Sequence, residues 1–258
     1  MPSSDYWSRF EGRVSRRSVL RGSMVAGAGL AAYTQEPWLD DGKLAWRPGV
    51  EKSLDETILR PVSSPFEMEG GIRLLTGNVG RGVIKISSVP KDRRIIDAPA
   101  AVFASQSAFT EAFKAGKLDR DVVAVVRFQG PRANGMPELH SLTPALTALQ
   151  NKGFRVALVT DGRMSGASGA IPAAIHVTPG ADQDSALARV QDGDRIILDA
   201  ETGTLQLLVD PALLAQRPRA VAPPAGHSHG RDLFAPLRHL AGDAEAGGGI
   251  FNLLGASA

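Results

Sequence analysis

Two stretches of this chain hold the residue types that move protons and bind cations. The first, Thr160-Asp161-Gly162-Arg163-Met164-Ser165-Gly166-Ala167-Ser168-Gly169, follows directly on the apolar run at 156–159. A glycine-rich turn leaving a strand points backbone N–H groups outward, where they bind an anion or polarise an exposed hydroxyl toward an alkoxide-like base. Ser165 is the hydroxyl so placed. The same string also suits a plain tight turn, and its composition alone does not choose between the two. The second stretch, Phe128-Gln129-Gly130-Pro131-Arg132-Ala133-Asn134-Gly135-Met136-Pro137-Glu138-Leu139-His140, offers one carboxylate, Glu138, on a loop with two prolines and two glycines. One such carboxylate can complete an oxygen-rich Mg2+ site, because that ion takes one or two protein carboxylates and fills its other positions with substrate and water. A solvated Glu138 capping the helix that starts near Ser141 is the alternative.

Thr76-Gly77-Asn78-Val79-Gly80-Arg81-Gly82 is glycine-rich but precedes a strand, the reverse of the dinucleotide-binding arrangement. Its Asn78 and Arg81 are instead candidates to hydrogen-bond an acidic substrate. Arg73, Arg132 and Arg163 are further candidates, since guanidinium forks suit phosphate and carboxylate groups. His227-Ser228-His229 has the look of a metal pair, yet it sits in a Pro/Gly-rich loop with no third ligand at metal-motif spacing. His140, His176 and His239 are isolated and read as structural.

Several elements must position these groups. Short apolar, β-branched runs at 83–86, 122–128 and 156–160 have the character of strands. Residues 105–115 place Phe109 and Phe113 four apart before Gly116, and Leu142, Leu146 and Leu149 recur at helical spacing before Gly153, so two helices are expected between the strands. Residues 194–199 and 205–209, joined through Glu201-Thr202-Gly203, read as a hairpin. Ala170-Ile171-Pro172-Ala173-Ala174-Ile175 is expected to open a helix, and a last helix is expected over 231–240, with Phe234 and Leu237 available to dock. Together these elements make a β-rich α/β domain. Residues 34–65 carry Pro37, Pro48, Pro61 and Pro65 and read as an extended arm anchored by Trp38 and Trp46. Ser15-Arg16-Arg17-Ser18-Val19-Leu20-Arg21 resembles a twin-arginine export signal, although the apolar stretch after it is short and glycine-laden, as in a truncated or misjoined start.

With 43% apolar and 22% charged residues, the 258-residue chain is excluded from wholesale disorder. Its 29 Lys and Arg against 27 Asp and Glu leave a net charge of +2, too weak a field to imply a nucleic-acid partner. No apolar run reaches the roughly 18 residues of a membrane span, so no bilayer crossing is expected. Zero cysteines exclude disulfides, thiolate zinc sites, a catalytic thiol and, within this chain, a cysteine-held iron–sulfur cluster.

Three segments in this order resemble one family: Ser64-Pro65-Phe66-Glu67-Met68-Glu69-Gly70-Gly71-Ile72-Arg73-Leu74-Leu75-Thr76-Gly77-Asn78-Val79-Gly80-Arg81, the loop Val126-Arg127-Phe128-Gln129-Gly130-Pro131-Arg132 with its continuation to His140, and the 160–169 string. They resemble the C-terminal portion of the dihydroxy-acid and 6-phosphogluconate dehydratases, and the first two are closer to the phosphogluconate branch. The resemblance implies a swivelling β-barrel-like domain flanked by helices over 67–258, a connector arm over 33–66 and an atypical N-terminus over 1–32. It implies dehydration of 6-phospho-D-gluconate to 2-dehydro-3-deoxy-6-phosphogluconate in the Entner–Doudoroff pathway. In that family an iron–sulfur cluster accepts the departing hydroxyl, Mg2+ orients the substrate carboxylate, and a serine removes the C2 proton. Ser165 matches that serine and Glu138 matches a magnesium ligand, while Asn78, Arg81, Arg132 and Arg163 are the expected contacts to the sugar-acid phosphate. The family's cluster cysteines, other magnesium carboxylates and a modified lysine belong to its N-terminal domain, and no position here matches them. The expectation is therefore a part of an enzyme, inactive by itself, cytoplasmic unless the signal-like start functions, and working with an N-terminal dehydratase domain in a homo-oligomer. A non-catalytic remnant, a binding domain or the same half of a sister dehydratase are the alternatives.

Overall fold

The computed structural model describes residues 35–49, 53–66, 68, 70–165, 170–224 and 226–251, and the chain divides into two compact units, the second beginning at Gly70. The signal-like string at 15–21 and residues 166–169 lie outside the described residues. In the first unit, Asp41 and Gly42 both take positive φ, 46° and 75°, the backbone of a tight hairpin turn. They join β1 (Gln35–Asp40) to β2 (Lys43–Pro48) in an antiparallel pair. The expected extended arm is thus folded back on itself here, through an Asp-Gly turn signal that its prolines overshadowed. Register places Pro37, Leu39, Leu44 and Trp46 on one face of the hairpin and Trp38 and Arg47 on the other, with the Arg47 guanidinium 4.1 Å from the Trp38 ring centroid. The two tryptophans therefore face opposite ways.

The second unit is built on eight strands: β3 (Ile72–Gly77), β4 (Gly80–Lys85), β5 (Ile95–Phe103), β6 (Val122–Val126), β7 (Val156–Thr160), β8 (Ala173–Thr178), β9 (Arg195–Asp199) and β10 (Thr204–Leu207). They close into a barrel in the order β10-β3-β4-β8-β7-β6-β5-β9. Strands β5 to β8 run parallel, and β9 with β10 forms the expected antiparallel hairpin. Helices α1 (Gln106–Lys114) and α3 (Leu142–Asn151) provide the crossovers, with the short α2 (Pro131–Asn134) between them.

Both β6 and β7 are buried along their whole length, because helices cover one face of the sheet and the barrel interior the other. Side chains alternate across a strand, so Val123, Val125, Ala157 and Val159 enter the barrel core while Val122, Ala124, Val126, Val156 and Leu158 enter a second core beneath α1 and α3. Phe109 of α1 is fully buried there, its ring edge-on to Phe103 at 5.3 Å between centroids. The Ser105 hydroxyl caps α1 by accepting the Ala108 N–H at 3.1 Å.

Two expectations are corrected. The segment expected to open a helix after residue 170 becomes strand β8, which pairs with β7 on one side and β4 on the other. Its alanines suit a helix locally, but two open strand edges offer backbone hydrogen bonds that outweigh that small preference. The expected helix over 231–240 is divided into α5 (His229–Leu233) and α6 (Ala235–Leu240), after the short α4 (Pro211–Gln216). Phe234 is the joint, since Pro236 opens α6 and cannot continue α5. Phe234 and Leu237 remain 53% and 39% exposed. Among the described residues no helix is long and apolar enough to cross a membrane.

Candidate functional site

Parallel strands end on the same side, so β6, β7 and β8 deliver their C-terminal loops to one rim of the barrel. The pairing of Arg81 with Thr178 brings the β3–β4 turn, with Asn78, to that same rim. Asn78, Arg81, Arg132, Glu138, Arg163 and Ser165 therefore stand on or next to one end of the barrel, although they are spread from position 78 to position 165, whereas Arg73, near the start of β3, donates to the carbonyls of Ala200 and Glu201 in the turn before β10, at the other end.

Within the rim, the loops after β6 and β7 are joined. Glu138 forms an isolated parallel bridge with Arg163, and the Leu139 N–H donates to the Arg163 carbonyl at 3.1 Å. Arg163 donates from Nη1 to Glu138 Oε2 at 2.8 Å and from Nε to the Met136 carbonyl at 3.0 Å. The backbone N–H of Ser165 donates to the other carboxylate oxygen, Glu138 Oε1. The two oxygens of one carboxylate thus receive the cation and the backbone of the Ser165 loop, while Ser165 itself is exposed. Each carboxylate oxygen keeps a second lone-pair direction.

Close packing of side chains against the Gly162 backbone makes this junction. A Cβ on Gly162 would lie 2.6 Å from Gln129 Cβ and 3.1 Å from Leu139 Cδ1, so no side chain fits between the two loops. The Gly162 N–H turns back to Thr160 Oγ1 at 2.9 Å, and the Gly162 carbonyl accepts the His176 N–H at 2.9 Å. His176 sits at φ 57° on β8, and burial, followed by the charge of Arg163, holds its imidazole below the usual histidine range.

The other candidates have partners of their own. Arg132 donates from Nε to Asp182 at 2.9 Å and from Nη2 to Asp243 at 2.6 Å. Burial lowers its guanidinium pKa, but the bonds to Asp182 and Asp243 outweigh it and raise the group above its ordinary value. Arg81 pairs with Glu245 at 3.0 Å. Asn78 spends both ends of its amide on Leu207: Nδ2 donates to the carbonyl and Oδ1 accepts the N–H, each at 2.7 Å. The structure thus brings Glu138, Arg163 and Ser165 into contact, and ties Arg81 and Arg132 to the segment after α6. Asp182, Asp243, Glu245 and His176 take part in these contacts without any motif to mark them in the sequence. Among the described residues no group of three or more His, Asp or Glu side chains gathers as a metal site, so Glu138 stands as a lone carboxylate.

A closed mixed barrel flanked by helices, with an exposed serine beside a paired carboxylate at the mouth of its parallel strands, defines an α/β barrel domain with a polar rim. Residues 57–248 match the dihydroxy-acid/6-phosphogluconate dehydratase C-terminal family, and the chain belongs to that family. It is 57% identical over 224 residues to the phosphogluconate dehydratase of Pseudomonas aeruginosa and 53% identical over 227 residues to that of Escherichia coli K12. Each match covers 86% of this chain and 37% of the relative. The dihydroxy-acid dehydratase of Methanothermobacter thermautotrophicus is 37% identical over 193 residues, 74% of this chain and 34% of its own length. The chain therefore spans little more than a third of the curated relatives it matches.

Proposed function

We propose that this chain forms the C-terminal part of a hydro-lyase that converts 6-phospho-D-gluconate to 2-dehydro-3-deoxy-6-phosphogluconate and water. The observation that carries the reading is the contact of Glu138 with both Arg163 and the Ser165 N–H. The greater identity to phosphogluconate dehydratases than to the dihydroxy-acid dehydratase favours the phosphorylated sugar acid as substrate.

In this reading Ser165 removes the proton from C2. A hydroxyl is a weak base until neighbouring positive charge helps it release its own proton, and Arg163 is two residues away. Glu138 fits a hard cation as one oxygen ligand among several, the others coming from substrate, water and a second protein segment. When bound, Mg2+ would hold the substrate carboxylate and make the C2 proton more acidic. Arg163 and the Ser165 N–H keep that ligand at a set place beside the base. Arg81 meets the phosphate. The Arg81–Glu245 pair is half exposed on both sides and is worth about 0–1 kcal/mol, so a phosphate dianion displaces Glu245 readily. Arg132 is held by two carboxylates and stays in place, contributing charge from a distance. Asn78 acts through the turn it anchors.

An iron–sulfur cluster does not fit this chain, which has no cysteine to bind one. Departure of the C3 hydroxyl accordingly belongs to a partner dehydratase segment, and no step for it is assigned to these residues. No membrane or nucleic-acid partner enters the reading.

The test is an assembly in two parts: this chain produced anaerobically with the N-terminal portion of the Pseudomonas aeruginosa enzyme, supplied with iron, sulfide and Mg2+. Turnover of 6-phosphogluconate is expected from the pair, with about a 100-fold or greater loss for Ser165→Ala. A pair in which Ser165→Ala retains the full rate would refute the assigned base.

A further inference from the structure

We propose that Asp161 is a positioning residue, whose buried carboxylate binds the exits of β6, β7 and β8 into one block and thereby sets the placement of Glu138 relative to Ser165. Its effect on turnover rests on the function proposed above, whereas the block itself does not.

Asp161 is 1% exposed and follows the last residue of β7. Its Oδ1 accepts the Gln129 N–H at 2.9 Å, and its Oδ2 accepts the N–H groups of Phe128 at 3.1 Å and Ala181 at 3.0 Å. Phe128 and Gln129 begin the loop that ends at Glu138, Asp161 begins the segment that leads to Ser165, and Ala181 follows β8. One side chain therefore holds the roots of three loops; the outer parts of the first two meet at the Arg163–Glu138 pair, and the third, after β8, reaches Arg132 through Asp182. Two glycines of these loops adjoin it: a Cβ on Gly130 would stand in ordinary contact, 3.6 Å from the Asp161 carbonyl oxygen, and one on Gly180 3.4 Å from Oδ2. Phe128 is held at φ 63°, a conformation that a large side chain adopts only where its surroundings impose it. The N–H donated to Asp161 and the burial of its ring in the barrel core supply those surroundings.

A carboxylate enclosed in this way, with three backbone donors on its two oxygens, has no route to substrate. It acts through Glu138 and Ser165, so its loss should alter geometry at the reacting atoms more than affinity. Misplacement of a reacting group by an ångström can lower a rate by about 100-fold.

Two measurements test this on the full chain. Through-hydrogen-bond couplings from the amides of Phe128, Gln129 and Ala181 to the Asp161 carboxyl carbon should be detectable by NMR in the unaltered protein, and absence of all three overturns the block. In Asp161→Asn, which sets an NH2 against one of these donors, the three amides should exchange about tenfold faster or more while those of Leu75 and Ile84 across the barrel hold their rates. Uniform acceleration throughout the barrel, or none at the three amides, overturns the proposal. In the two-part assembly the same variant should lower kcat by about 10–100-fold with KM changed by less than about threefold. An unchanged kcat with the amides released removes the positioning role. An assembly that is inactive even with Asp161 intact refutes the proposed function, and the exchange rates alone then decide whether the block exists.

Discussion

Arg163 grips the carboxylate of Glu138 from a position 25 residues further along the chain, with 2.8 Å between Nη1 and Oε2. The same arginine holds the Met136 carbonyl, so one side chain fixes both the direction of Glu138 and the loop that carries it.

That contact is half exposed on the arginine side, which limits its worth to stability to roughly 1 kcal/mol or less. Arg163→Ala should therefore shift Tm by only about 2–4 °C, since about 1 kcal/mol moves the Tm of a domain this size by that amount. In the two-part assembly it should raise the Mg2+ concentration for half-maximal rate about tenfold, because a ligand freed of its outer partner loses orientation. Thermal unfolding and a Mg2+ titration of the rate check the two halves separately.

Gly162→Ala should behave differently. The added methyl meets Gln129 Cβ at 2.6 Å, Leu139 Cδ1 at 3.1 Å and Thr160 Oγ1 at 3.2 Å, all three on buried side chains with little room to give way. A loss of about 1–3 kcal/mol is expected from the overpacking, read as a lowered urea midpoint. Gly70→Ala, where nothing lies within 4 Å, should leave the midpoint unchanged.

Asn78→Ala removes both bonds to Leu207 and leaves a buried N–H and C=O unpaired next to β10. Destabilisation of about 1–3 kcal/mol follows. Asn78→Asp, which keeps the acceptor and loses the donor, should fall between the two in urea unfolding.

The histidine on β8 gives a pH dependence. Burial and Arg163 hold the folded His176 pKa below its ordinary 6.5, so on acidification the unfolded chain binds its proton first. The stability contribution is complete above about pH 6.5, the unfolded value, and is lost as the pH falls toward and through the folded one. His176→Asn, which tolerates the positive φ, should flatten the decline in urea midpoint between about pH 7.5 and 5.5 relative to the unaltered protein.

The local elements were largely legible in the sequence because their signals are local. The five-residue runs of β6 and β7, the Phe109 and Leu146 spacings of α1 and α3, and the glycine turn before β10 each state their structure within a few residues. Reading failed where partners decided: Ala173 and Ala174 are helix-compatible until β7 and β4 present open edges on either side. The Asp-Gly turn of the first hairpin was legible too, but the prolines around it pointed to an extended arm.

By itself, the sequence determined the strand character of Val122 to Val126, the strand–turn placement of Ser165 and the absence of any thiolate. Only the tertiary structure decided that Glu138 meets Arg163, that Arg132 is shared between Asp182 and Asp243, and that Asp161 is enclosed by three backbone donors. Hydrophobic alternation and turn preference act over a few residues, whereas barrel closure brings loop roots together across dozens of positions. An aspartate's surroundings are fixed only when that closure is complete.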